Sequence, residues 1–351
     1  MKFNLKLKIK TAVFCILITL LAAVSLYAKA PARGPIQPAI GPGGSTYLHE
    51  SITHWGKGAK HEKYEVFEPD KPSVKKAGLV ILIHDRMYPD PNFYMGHIRH
   101  LCRRGWVVVF PKYQGTDQFE KHYMFNIIRS IKDYLLEAFA QQKIDIDRDK
   151  IAIIGSGCGA VLAVNVAATA DYFGLPIPKA IMAIMPESGY FKLLDLTGIS
   201  REARLIVVNG DRIEAEGAKL STDIFYGADR VSLKNKVHVY VTSDFYGQPP
   251  LIANRFSALS LEEDLYERYI VENRNTFLIA YKDKEIAHYT RGDWIDAFDW
   301  FVSYRLFDLL LEFTFDKQTD LTFFKKNNEV KKMGYWSNGR PLKHLIFTDR
   351  P

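Results

Sequence analysis

"IAIIGSGCGA", residues 151–160, runs a β-branched stretch into a glycine cluster, and a small-residue helix, "CGAVLAVNVAATA" at 158–170, begins at once. This is the pattern of a buried strand, a sharp turn and a helix. Glycines stand at 155, 157 and 159, flanking Ser156 and Cys158. The turn centres on one residue with a glycine two positions to either side. Here that residue is Gly157, which has no side chain to present.

Outward from this turn the same grammar repeats. "AGLVILIHD" (77–85), "WVVVFPKY" (106–113), "PKAIMAIMPES" (178–188), "ARLIVVNGDR" (203–212) and "KVHVYVTSDFYG" (236–247) are continuous apolar runs. They are separated by helical stretches such as "NFYMGHIRHLCRRG" (92–105) and "MFNIIRSIKDYLLEAFAQQ" (124–142). Runs of this kind are buried on both faces, as in a parallel sheet covered by helices. "TYLHESITHW" (46–55) and "KYEVFEP" (63–69) instead alternate at period two and predict an antiparallel hairpin edge. Together they give about eight strands with the glycine turn on the fifth. Beyond 261 a strand is expected at "NTFLIAYKD" (275–283) and an amphipathic, aromatic-rich helix at 294–313, its stripe packed as core. The basic "KKNNEVKK" (325–332) reads as solvated surface.

Composition is that of a folded domain, with 351 residues, 47% hydrophobic and 25% charged. Residues 1–30 form a separate unit: Lys2, Lys6, Lys8 and Lys10, an apolar run from Thr11 to Tyr27, then Ala28-Lys29-Ala30. That fits a signal peptide with a small-residue cleavage site and predicts export, to the periplasm or the medium. An uncleaved anchor is the alternative, since the run approaches membrane-spanning length. Cleavage removes five lysines and takes the formal charge from +7 to +2. No basic run with interleaved aromatics remains, so nucleic acid binding has no support. The Pro- and Gly-rich stretch 31–45 reads as an extended leader without chemistry, and 46–351 as one domain. Cys15 leaves with the signal. Cys102 and Cys158 remain, read as two buried thiols rather than a disulfide.

These residues resemble exported α/β hydrolases of the lipase, cutinase, dienelactone-hydrolase and chlorophyllase type. The likeness rests on "LVILIHD", "VVVFPKYQG", "IIGSGCGA", "IVVNGDRIEAEG" and "VTSDFYGQPPLIANRFS" in that order. It implies an α/β-hydrolase fold and a Ser, Asp, His triad with a backbone oxyanion hole, needing no cofactor. The matching positions are Gly157 for the nucleophile, Ile213 for the acid and Tyr246 for the base. The oxyanion region is His84, Asp85, Arg86 and Cys158; a carboxylate there opposes developing negative charge unless it turns away or pairs with Arg86. Candidate substitutes are Ser156 or Cys158 as nucleophile, Asp211, Glu214 or Asp244 as acid, and His288 or His238 as base. Ser156 and Cys158 have plain structural readings as a turn hydroxyl and a small buried residue. No metal site is expected: His49 and His54, five apart in one expected strand, would point to opposite faces. The reading that follows is a non-catalytic pseudo-hydrolase keeping a pocket for a small apolar or acyl ligand, or for a partner protein. The alternatives are an ester hydrolase using displaced residues and a plain cell-envelope interaction protein.

Overall fold

A computed structural model describes residues 30–70, 76–86, 88–114, 120–141, 144–189, 191–261 and 295–351. Residues 1–29 of the expected signal peptide, the expected strand at 275–283 and His288 lie outside the described residues. Among the described residues nine strands form a single sheet: β1 (Ile52–Lys57), β2 (Lys63–Pro69), β3 (Lys76–Ile83), β4 (Val107–Lys112), β5 (Asp145–Ser156), β6 (Ala180–Ile184), β7 (Arg204–Gly210), β8 (Lys236–Val241) and β9 (Ile346–Thr348). Their order across the sheet is β1-β2-β4-β3-β5-β6-β7-β8-β9. Strands β4 to β8 and β3 run parallel; β1 and β2 pair antiparallel at one edge, and β9 pairs antiparallel with β8 at the other. The first eight strands follow the α/β-hydrolase order, with the glycine turn at the end of the fifth.

The two-sided burial read from the apolar runs has a direct counterpart in the packing. Alternate residues of β3 and β4 feed two separate cores: Leu79, Ile81, Ile83, Val107 and Val109 enter one, and Val80, Leu82, Val108 and Phe110 the other. Helices α2 (Tyr123–Gln141), α3 (Cys158–Thr169) and α4 (Ala215–Gly227) contribute to the first core. The second is covered by α1 (Met95–Arg103) and α5 (Arg305–Leu311), the latter continued at both ends by π-helical turns, Asp299–Tyr304 and Glu312–Asp316. Among the described residues no helix is long and apolar enough to cross a membrane.

Three sequence expectations change in the structure. His49 precedes β1 and is buried near Asp70, and only His54 lies on the strand, bonded to Glu65 at 2.8 Å and stacked on Phe67. The expected extended leader is docked on the domain as a strap: Ala32 O accepts from Gln248 N (2.8 Å), Arg33 O accepts from Ser337 N (2.9 Å), and Gly43 N donates to Asp308 Oδ2 (2.7 Å). The last residues add β9, whose three residues are too few to show a period. Cys102 and Cys158 are both free and buried, as two separate thiols.

Candidate functional site

The glycine turn is built by close approach as much as by backbone conformation. Gly157 sits at φ 55°, ψ −125° between β5 and α3, in the region that favours glycine. Its amide donates to Ile184 O (3.0 Å), and its carbonyl accepts from Ala160 N and Glu187 N (both 3.1 Å). A Cβ at Gly155 would overlap the Gly159 carbonyl, and one at Gly159 would overlap the carbonyls of Ile83 and His84. Both outer glycines are therefore needed to bring α3 against the ends of β5 and β3.

The space above Gly157 is filled by a carboxylate. A Cβ built at 157 would overlap Asp85 Oδ2, with the carboxyl carbon 2.5 Å away. Asp85 is 2% exposed and follows β3. Its backbone NH donates to Tyr94 Oη (2.8 Å), and Arg255 Nη2 reaches both carboxylate oxygens, at 2.8 and 3.1 Å. Arg255 also forms an ion pair through Nη1 with Glu187, which follows β6. The segment after β8, where the resemblance expects a base, thus delivers a guanidinium over the turn. It is positioned by a short helical turn, Arg255–Ala258, capped by Asn254, whose side chain accepts from Phe256 N (2.9 Å).

Two carboxylates, a guanidinium and a thiol meet at this turn and shift one another. Burial pushes the Glu187 carboxyl above its usual range, and nearby Asp85 adds to this while Arg255 counters it. Burial chiefly, with Asp85 and Glu187 adding to it and Arg255 and Arg86 opposing it, pushes the Cys158 thiol up to about 12. The Arg255 guanidinium loses hydration, yet the two carboxylates more than compensate and raise its pKa. An oxyanion developing here would meet two carboxylates as well as the Arg255 guanidinium paired with them, and one backbone donor on the β3 side, Asp85 NH, is already taken by Tyr94.

The other sequence-predicted residues lie elsewhere or are engaged. Ser156 is buried at the end of β5, with its hydroxyl beside the Tyr94 phenol. His84 Nδ1 lies 2.8 Å from Asp85 O, its ring is stacked on Tyr113 at 4.1 Å, and burial drives its pKa down to about 3. Arg86 follows Asp85 in the same turn and is half-buried. Asp211 accepts from Ser243 N (2.9 Å) and Ser243 Oγ (2.5 Å), which ties the end of β7 to the segment after β8. Ile213 packs beside Gly217 of α4, and Glu214 is exposed at the start of that helix. Asp244 is buried and accepts from Tyr246 N (3.1 Å), Trp336 Nε1 (3.3 Å) and Lys343 N (3.2 Å). Tyr246 is 43% exposed, with its hydroxyl accepting from Asn338 Nδ2 and Arg340 lying over its ring. His238 is in mid-strand on the face of α4, beside Phe225, and burial lowers its pKa to about 4.

Among the described residues no group of three His, Cys, Asp or Glu is arranged to hold a metal ion. Sequence reading missed Arg255 and Glu187. The signal available for them was the uncompensated Asp85: a carboxylate beside the turn demands a cation, and Arg255 was on the expected base-bearing segment.

No protein-family profile and no curated protein matches the chain. Among solved structures it is similar to an esterase from Rhizomucor miehei, at 16% identity over 69% of this chain and 87% of that one, with a TM-score of 0.46. It is also similar to esterase B from Lactobacillus rhamnosis, at 13% identity over 70% and 91% of the two chains and a TM-score of 0.42. An arylesterase matches at 14% identity over 56% and 79%, with a TM-score of 0.41. The α/β-hydrolase fold of this chain itself rests on its own strand order and on the glycine turn that ends β5.

Proposed function

We propose that this protein is an exported, non-catalytic α/β-hydrolase-fold protein whose role is to bind a ligand or partner rather than to hydrolyse an ester. The observation that carries this reading is the Asp85 carboxylate above Gly157, clamped by Arg255, in the place where the fold would hold an attacking oxygen. Two facts support it further. Neither Ser156 nor Cys158 has an imidazole partner among the described residues, and the Cys158 thiol stays protonated at neutral pH. Export follows from the basic, then apolar, then small-residue pattern of residues 1–30.

The test compares the mature chain with a Ser156→Ala, Cys158→Ala double variant, using p-nitrophenyl butyrate turnover and fluorophosphonate labelling. Equal, buffer-level rates and no label are expected. Labelling of either residue, or turnover that the double variant loses, restores the ester-hydrolase alternative. Export is checked by N-terminal sequencing of the protein secreted by its own leader, with a new terminus expected after Ala30.

A further inference from the structure

We propose that the cavity between the leader strap and the start of the helical run that leads into α5 is a binding site for an anionic amphiphile, a long-chain carboxylate. The site rests on the binding role proposed above but lies apart from the turn at Gly157. It encloses 570 Å³, within the range of about 300–1,000 Å³ typical of small-molecule pockets. Its walls are mainly apolar: Pro35 and Ile36 of the strap, Pro249 and Leu251 of the segment after β8, and the indoles of Trp300 and Trp336.

The walls are held in place from several directions. The strap is pinned at Ala32 and Arg33 by backbone bonds to Gln248 and Ser337, with a further bond from Arg33 N to Ser337 Oγ at 3.0 Å. Gly247 has no room for a side chain because Trp336 lies against it, and Trp336 is itself fixed by its bond to Asp244. Ile36 is nonetheless 86% exposed, an apolar side chain left in water at the rim. Covering such a surface is what an apolar tail would gain.

The choice of an anionic head rests on Arg33. Arg33 is exposed at the rim, and its guanidinium has no carboxylate partner among the described residues. The lining also holds one carboxylate, Asp296, which keeps its charge while accepting from Phe298 N at 2.7 Å, at the start of the helical run that leads into α5. Gln248, also in the lining, is a neutral hydrogen-bonding group on the Arg33 side. A carboxylate therefore finds an unsatisfied planar cation, while its tail meets proline, isoleucine and tryptophan surfaces.

The experiment titrates the full mature chain with dodecanoate below its micelle concentration, read by calorimetry. Saturable binding with one site is expected, with Kd on the order of 10–100 μM. Dodecyltrimethylammonium, with the same tail and opposite charge, should not bind. Arg33→Gln should weaken dodecanoate at least fivefold with an unchanged melting temperature, whereas Arg230→Gln, an exposed arginine bonded to Thr197 O, should not change it. Quenching of tryptophan fluorescence by 12-bromododecanoate should fall in Trp300→Phe, which places the tail in this cavity. Absent binding, equal binding of the cationic amphiphile, indifference to Arg33→Gln, or quenching unchanged in Trp300→Phe would overturn the proposal. None of these outcomes bears on catalysis at Gly157, and ester turnover would in turn leave the amphiphile result standing.

Discussion

At the scale of single residues, two substitutions separate a merely missing hydroxyl from an occupied site. Gly157→Ser puts an L residue at φ 55° and drives its side chain into Asp85. It should create no esterase activity and should cost about 1–3 kcal/mol of stability from backbone strain alone, measured by urea unfolding. Arg255→Gln leaves the Asp85 carboxylate buried without its cation. Removing one member of a buried ion pair costs about 3–5 kcal/mol, so a lowered urea midpoint is expected. A double change, Asp85→Asn with Arg255→Gln, should recover part of that loss, because it removes the stranded charge.

At the scale of elements, the strap, α1 and α5 meet at one buried polar cluster. Asp308 Oδ2 receives Gly43 N (2.7 Å) from the strap, lies 3.0 Å from His100 Nε2 of α1 and 3.2 Å from Arg104 Nε, while His100 Nδ1 faces Tyr47 Oη at 3.1 Å. Burial alone would raise the Asp308 carboxyl, but His100, Arg104 and the Gly43 amide hold it below its usual value. A carboxyl with a lowered folded pKa contributes stability that is present above the unfolded value near 3.9 and is lost as pH falls through the folded pKa. Asp308→Asn should therefore lower stability at pH 7 by about 3–5 kcal/mol and flatten the acid limb below pH 4 in pH-dependent urea titrations. Protease nicking within residues 31–45 should also become faster, since the strap loses its anchor to α5.

At the scale of the whole molecule, buried imidazoles set the acid tolerance. Burial lowers His84 and His97 to about 3 and His238 to about 4. Unfolded histidines titrate near 6.5, so between that value and the folded pKa the unfolded chain binds more protons and stability rises with pH. Acidification from about pH 6.5 should then destabilise the protein well before carboxylates titrate. His238→Phe, whose ring would face Phe225, should reduce the loss between pH 6.5 and 4 by a few kcal/mol, at about 1.36 kcal/mol for each pH unit separating the unfolded and folded pKa values. An unchanged pH profile in that variant would remove His238 from the explanation.

What could be read from the sequence alone was whatever local pattern and burial dictate. Continuous apolar runs specified a doubly covered sheet, since a strand with both faces in a core has no polar side to alternate. The glycines at 155, 157 and 159 marked the turn because close backbone approach and positive φ both exclude side chains. The occupant of the space above Gly157 was another matter: Asp85 and Arg255 are 170 residues apart, and Glu187 joins them from a third segment. Such a cluster depends on where the fold places the ends of β3 and β6 and the helical turn after β8, and no local period encodes that. The same holds for the strap, whose Pro- and Gly-rich composition shows no face to bury and whose docking is fixed by backbone bonds to Gln248 and Ser337. The chain thus wrote its architecture in side-chain periodicity, while the state of the site was decided by charges that meet only when the chain has folded.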